Sequence, residues 1–412
     1  MATQAKAAPG ASLSERYRAV RQLSLDIAAP LSDADATIQP MPDASPAKWH
    51  LAHTTWFFET FLLRDHVPGY RVFDESWGFL FNSYYEVEGE RHARPRRGML
   101  SRPSLEQVKD YRRHVDHALL AAADALPPDV IELGLNHEQQ HQELMLMDML
   151  ATLAENPLCP AAWPADHQPP APLPAPTQWI EGRDGLVDVG GSSGGFAFDC
   201  ERPRHKTFLH AHALADRLVT NAEWLQFIAD GGYASPLLWL ADGWTWVREK
   251  AIHAPLYWRR GEGGWLRFGL DGLQPLNPAE PACHISYYEA DAFARWAGAR
   301  LPTEAEWESA AASADPGGGN QLDAAGPVRP QGGGGWFGDA WIWTASAFLP
   351  YPGFRPAVGA VGEYNGKFMC SQMVLRGGSC ATPRGHLRAS YRNFFYPRQR
   401  WMFSGLRLAK DL

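Results

Sequence analysis

The segment Asn136-His137-Glu138-Gln139-Gln140-His141-Gln142-Glu143 sits inside a stretch, residues 129–154, whose apolar face continues through Leu144, Met147, Leu150 and Leu153. That pattern reads as a helix. On a helix His137 and His141 lie one turn apart on one face, with about 5–6 Å between Cβ atoms, so both rings can approach one metal ion. The helix is otherwise apolar, so the rings should face inward, where an unpaired polar group is costly. A third histidine, His53, comes from a second helical stretch, Trp49-His50-Leu51-Ala52-His53. Three imidazoles on a divalent ion leave other positions open to reactants. His50, three residues before His53, ranks second to it as third ligand. Glu143 is two residues past His141, a rotation of ~200°, and Glu138 adjoins His137. Both fall off the ligand face and read as supporting or packing groups.

Working outward, residues 13–155 read as mostly helical. Ser12 is a cap for 13–28, Pro46 suits the first turn of 46–64, and Ser104 caps 104–126 with the stripe Leu105, Val108, Tyr111, Val115 and Leu119. With 129–154 this makes four helices, the content of a bundle whose inward residues commonly build metal sites. The long connection 73–102 is of a length that is usually functional or disordered. Residues 156–178 are expected to be a linker, because Pro164–Pro176 lacks the apolar content to pack. From Trp179 to Leu412 the texture changes to dense glycine and tryptophan with short apolar runs. Only 221–231 and 286–298 read as helices there, with Leu301–Glu304 as a turn. The domains are therefore set at 1–155 and 179–412.

The chain has 412 residues, too long for one ordinary core. Its net charge of −8 argues against a nucleic-acid or anionic-membrane binder. No apolar run is long enough to span a bilayer, and Met1–Ser12 lacks the apolar core of a secretory signal. The 5 cysteines show no metal-type pairing. Together these features lead us to expect reduced thiols in a cytoplasmic protein. The 17 tryptophans call for an aromatic core or pocket. Residues 137–141 also match the His-Glu-x-x-His string of zinc proteases, but such an enzyme needs a third downstream ligand in a protease fold.

The same residues resemble the sulfoxide synthases of ergothioneine biosynthesis, the EgtB family. The resemblance rests on Trp49-His-Leu-Ala-His53, His137-Glu-Gln-Gln-His141, Trp296-Ala-Gly-Ala-Arg-Leu-Pro-Thr-Glu-Ala-Glu-Trp307, Arg376-Gly-Gly-Ser379 and Phe403-Ser-Gly-Leu-Arg-Leu408. It implies an α+β chain: an N-terminal DinB-like four-helix bundle, then a domain like formylglycine-generating enzyme with a C-type-lectin-like fold. It implies Fe(II) on His53, His137 and His141. It implies hercynine (the trimethylated betaine of histidine), O2 and a thiol, cysteine or γ-glutamylcysteine, as substrates.

Tyr84 and Tyr85 match tyrosines that the cysteine-using branch places by the iron, and a phenol is a suitable proton donor. Arg94 and Arg97 resemble carboxylate-binding arginines of the family, since an arginine fork grips a carboxylate. Gln140 and Asn393 match hercynine contacts of the family, and Phe394, Phe395 and Trp401 are candidates to line the pocket with aromatic faces, although Trp401 and Phe403 serve equally as core. The chain also departs from relatives of the pattern. Residues 386–407 contain no cysteine, which speaks against formylglycine-generating activity. Trp341-Ile342-Trp343 stands where the family often has Trp-Glu-Trp. Selenoneine synthases share both domains and the histidine motif but use a selenosugar, which has no amino-acid carboxylate for Arg94 and Arg97. A non-catalytic metal-storing module and a zinc hydrolase or transferase are the other readings.

Overall fold

The computed structural model describes residues 11–165, 169, 171–356 and 365–412. Most of the N-terminal segment read for a signal, and residues 166–168 and 170 of the proline-rich run, lie outside the described residues. The chain forms two compact units. The first comprises residues 11–164 with two short returns, 270–272 and 323–327, and the second comprises the rest. No helix among the described residues is long and apolar enough to cross a membrane.

In the first unit α1 (Leu13–Ala28) starts at Ser12. The Glu15 N–H donates to Ser12 Oγ at 3.3 Å, and the Glu15 carboxylate accepts from the Ser12 N–H at 2.7 Å. This reciprocal pair satisfies donors that a helix start leaves open. α2 (Ala47–Phe58) begins after Pro46, which occupies the cap position rather than the first turn, and runs into a π turn at Glu59–Arg64. A short α3 (Trp77–Phe81) interrupts the long connection. α4 (Leu105–Ala122) repeats the reciprocal cap with Ser104 and Gln107, and α5 (Pro128–Ala154) carries the histidine motif. α1 packs on α5, and α2 packs on both α4 and α5. All twelve residues of α2 are buried, so it is the central helix and has no polar face to show.

Glu138 locks the rotation of α5. Its carboxylate accepts from Arg21 of α1 (2.8 Å), Arg112 of α4 (2.8 Å) and Ser24 Oγ of α1 (2.6 Å), all buried. Arg21 also donates to Thr55 of α2 and Asp116 of α4. Burial pushes the Glu138 carboxyl up, but Arg112, Arg21 and Ser24 outweigh it and hold it down to about 2. The off-face glutamate is thus a supporting group, and Glu143 is buried as well.

The second unit runs β1 (Trp179–Glu181), β2 (Gly185–Val189), β3 (His205–Leu209), β4 (His212–Ala215), α6 (Asn221–Ala229), α7 (Ala241–Glu249), β5 (Trp258–Gly261), β6 (Gly264–Gly269), β7 (Gly272–Pro275), α8 (Tyr287–Trp296), α9 (Glu304–Ala311), β8 (Trp341–Ala347), β9 (Met373–Arg376), β10 (Asn393–Phe395), β11 (Ser404–Gly405) and β12 (Ala409–Asp411). The sheets are β1-β4-β12, β10-β9-β8-β11, β2-β3 and β5-β6-β7. Two helices, α7 and α9, were not expected. α7 has no side-chain cap, and it carries Gly243 where a Cβ would lie 2.9 Å from the Tyr288 side chain. α9 does carry a legible cap, Thr303 with Glu306, but its eight residues follow the Leu301-Pro302 turn so closely that the pattern reads as one turn.

The core of this unit joins the motifs quoted above. Glu304 of α9 accepts from Arg376 (3.0 Å) and Arg392 (2.9 Å), and Arg376 also donates to Glu308 (2.9 Å). The glycines after Arg376 turn the chain at φ +96° and +79°. A Cβ on Gly378 would lie 2.2 Å from Leu387, so the pair is fixed by both conformation and space. Trp224, Trp307, Trp341, Trp343, Trp401 and Phe403 are buried, so these aromatics are core. Ile342 is buried opposite Arg376 in the β8–β9 register, a purely apolar role.

Glu138→Gln removes the one charge shared by Arg21 and Arg112 at nearly constant volume. The expected loss is about 3–5 kcal/mol of stability in the helical unit, read as a lower urea midpoint in far-UV circular dichroism. An unchanged midpoint would mean that Asp116 alone neutralises both arginines.

Candidate metal centre

His53 on α2 and His137 and His141 on α5 form a compact triangle. Their ring centroids are 5.0, 4.7 and 4.6 Å apart, and one nitrogen from each lies within 4.8 Å of the other two. The two helices come this close because of Gly134, one turn before His137. A Cβ there would lie 2.4 Å from the Phe58 ring of α2. His53 and His137 are buried, whereas His141 is half-buried and marks the open side.

Each ring is held in a form suited to a metal. The His53 Nδ1–H donates to the Phe81 carbonyl at 2.6 Å. Its Nε2 is buried with no hydrogen-bond partner among the described residues. Burial, then the neighbouring His137, pushes the His53 pKa well below the usual imidazole value. Burial takes His137 down to about 3, and burial with His137 and His53 lowers His141. Three neutral imidazoles at neutral pH is what ligation requires. His50 is not part of the triangle. Its Nδ1 lies 2.8 Å from His141 Nδ1 and its Nε2 lies 3.0 Å from Asp148 Oδ2, which also accepts from the Ser45 N–H at 2.7 Å.

Aromatic rings stack across the centre. Trp49 lies on His53 at 4.6 Å and 12°, and Trp56 lies on its other side at 5.8 Å and 15°. The Arg97 guanidinium sits 3.3 Å above Trp49 and donates to Ser45 Oγ (3.0 Å) and Ser83 Oγ (3.2 Å). Arg97 is buried, yet no carboxylate pairs with it among the described residues. Burial, then Arg94, works against its charge. Arg94 itself is exposed and donates to the Asp43 carbonyl. Tyr85 is buried, with its ring 5.6 Å from Trp56 and stacked on Tyr84 at 4.8 Å. Asn82, next to Phe81, clamps the Tyr85 backbone by accepting its N–H (3.1 Å) and donating to its carbonyl (2.9 Å). Gln140 is half-buried between His137 and His141 of α5.

Residues 16–154 match the DinB superfamily, and residues 176–336 match the sulfatase-modifying factor enzyme 1-like domain. The hercynine oxygenase of Mycolicibacterium smegmatis is 33% identical over 96% of this chain and 97% of its own. That of Mycobacterium tuberculosis is 34% identical over the same shares. The chain belongs to the hercynine oxygenase family. The formylglycine-generating enzyme of Streptomyces coelicolor is 31% identical over 45% of this chain and 72% of its own.

As a hercynine oxygenase family member the chain is an oxygenase, and the reading as a metal-storing module falls away. The first unit brings together His53, His137, His141, Tyr85 and Arg97. Asn393, Phe394 and Phe395 belong to the second unit, on β10 beside β9. They are half-buried; Phe394 stacks on Phe348 at 4.1 Å, and Phe395 meets Trp401 edge-on at 5.4 Å. Sequence reasoning missed Ser45, Trp49 and Asp148. Asp148 was within reach: seven residues past His141 on one helix, it shares the histidine face.

Gly134→Ala tests whether helix proximity builds the centre. The added methyl must displace the Phe58 ring, at a cost of about 1–3 kcal/mol. The variant should stay helical and bind divalent metal more weakly, as measured by competition titration. Unchanged affinity would show that the triangle does not depend on this contact.

Proposed function

We propose that this family member joins the sulfur of a small thiol to C2 of hercynine and oxidises that sulfur to a sulfoxide, using O2 and Fe(II) held by His53, His137 and His141. The observation that carries the reading is Arg97: a buried cation without a carboxylate partner among the described residues, one tryptophan ring away from a ligand histidine. A buried charge left unpaired is expensive. A substrate carboxylate would relieve that cost, and cysteine or γ-glutamylcysteine brings one. A selenosugar does not, so the unpaired guanidinium favours sulfur.

The histidines fit a metal because the His53 Nδ1–H is committed to Phe81 and leaves a buried Nε2 without a donor. Fe(II), when bound, would supply a redox-active centre with open positions where O2 and a thiol can react; the four electrons that reduce O2 come from the C–H and S–H bonds and from the sulfur. In the balance, hercynine C2–H and thiol S–H give way to a C–S bond. The sulfur takes one oxygen atom, and the other leaves as water with both hydrogens. That water needs protons delivered to oxygen, a task we assign to Tyr84 or Tyr85. Tyr85 has the stronger support, since Asn82 fixes its backbone and its ring is buried by Trp56. Arg97, with the exposed Arg94, would orient the thiol through its carboxylate. Gln140 and Asn393 would supply polar contacts to hercynine, and Phe394 and Phe395 aromatic faces for its trimethylammonium, worth ~0.5–2 kcal/mol. The five cysteines include no disulfide, which supports a reducing, cytoplasmic setting.

The test is mass spectrometry of products from hercynine offered cysteine, γ-glutamylcysteine and a selenosugar in competition, with Fe(II), in air and under nitrogen. A sulfoxide formed only in air is expected. A dominant carbon–selenium product would overturn the choice of donor, and turnover without O2 would overturn the oxygenase chemistry. Arg97→Gln should raise KM for the thiol roughly 10- to 150-fold, the loss of a charged hydrogen bond of ~1.5–3 kcal/mol, with KM for hercynine little changed. Equal effects on both substrates would remove Arg97 from thiol recognition.

A further inference from the structure

His141 differs from His53 in how its far nitrogen is held. In His53 a backbone carbonyl takes the Nδ1–H. In His141 the partner is another imidazole, His50, and behind it a carboxylate, Asp148. With a neutral His50, proton positions in this chain follow from its ends. Asp148 Oδ2 already accepts from the Ser45 N–H, so it is an acceptor and His50 Nε2 is the donor. A His50 ring with its one proton on Nε2 has a lone pair at Nδ1. The contact to His141 Nδ1 at 2.8 Å then requires the proton on His141 Nδ1. His141 is left with its lone pair on Nε2, the form that can bind metal.

We infer that Asp148 and His50 are positioning residues that set the tautomer and ring orientation of His141 for metal binding. The inference rests on the reading of His53, His137 and His141 as a metal centre. His50 and Asp148 are buried, so water does not compete for either hydrogen bond, and the carboxylate acts on His141 through a low-dielectric path. The pair therefore raises the electron density on His141 Nε2 as well as aiming it. The relay also does not end at Asp148. Ser45, whose N–H holds the carboxylate, accepts from Arg97 with its hydroxyl at 3.0 Å. The guanidinium assigned to the thiol carboxylate and the imidazole assigned to the metal are thus joined by one run of hydrogen bonds.

The experiment uses the full chain. In metal-free wild type, long-range 15N–1H correlation spectra of the histidine rings should show His141 as a single tautomer protonated at Nδ1. Competition titration with Co(II) should then show a 10- to 100-fold loss of affinity in Asp148→Ala and in His50→Leu. His50→Gln, which keeps a carbonyl acceptor for the His141 N–H, should recover most of that loss. His141 in Asp148→Ala should become a mixture of tautomers. Wild-type His141 protonated at Nε2, or equal Co(II) affinity in all variants, would overturn the inference while leaving the metal centre standing. Equal loss in His50→Gln and His50→Leu would also overturn it, since only packing would then be at stake. A wild type that binds no divalent metal would overturn the metal centre itself, and this inference with it.

Discussion

Glu138 gripped by Arg21 and Arg112 is the constraint on which the first unit depends. A helix of apolar residues can rotate about its axis at modest cost, because one leucine face packs much like another. A buried carboxylate between two arginines from two other helices cannot turn without leaving charge unpaired. Once Glu138 is pinned toward α1 and α4, the neighbouring His137 and His141 have one direction left to face. α2 then supplies the third histidine, at a distance Gly134 permits. Specificity of rotation is bought with ions, and closeness with the absence of a side chain.

Around the histidines the environment is largely buried and aromatic. Trp49 and Trp56 sandwich His53, and Phe57 lies 4.9 Å from His137. These rings exclude water and keep the imidazoles neutral. They also make the nearby Arg97 conspicuous, because the stacking that accommodates its flat guanidinium does not neutralise it. The carboxylate closest to this region in the hydrogen-bond network, Asp148, is committed to Ser45 and His50.

Much of the first unit could be read from the chain. Ser12 and Ser104 carry their caps three residues ahead of Glu15 and Gln107, and i, i+4 spacing put His137 and His141 on one face. His53 rather than His50 lies in the triangle with His137 and His141. What local pattern could not reveal was pairing over long sequence distances: Glu138 to Arg21, Arg97 over Trp49, Ser45 to Asp148. Such contacts depend on which helices become neighbours, and no periodicity encodes that. In the second unit α7 was invisible because Gly243 and the aromatic-rich run around it suit a loop as well as a helix. The hercynine contacts proposed for Asn393, Phe394 and Phe395 rest only on family likeness, since a half-buried strand residue has no local signature of ligand contact.

The triangle draws its corners from separate helices, and one corner is steadied by Phe81 from a third segment. An unstructured chain offers an ion only the weak pair at 137 and 141, and drawing in residue 53 costs the entropy of closing a long loop. At the metal centre proposed above, ion capture would therefore follow assembly of the helices rather than drive it, unlike small zinc domains that fold around their metal. On that order of events the scaffold would have to stand without the ion, and whichever divalent ion is at hand when it is complete would have the first chance to enter.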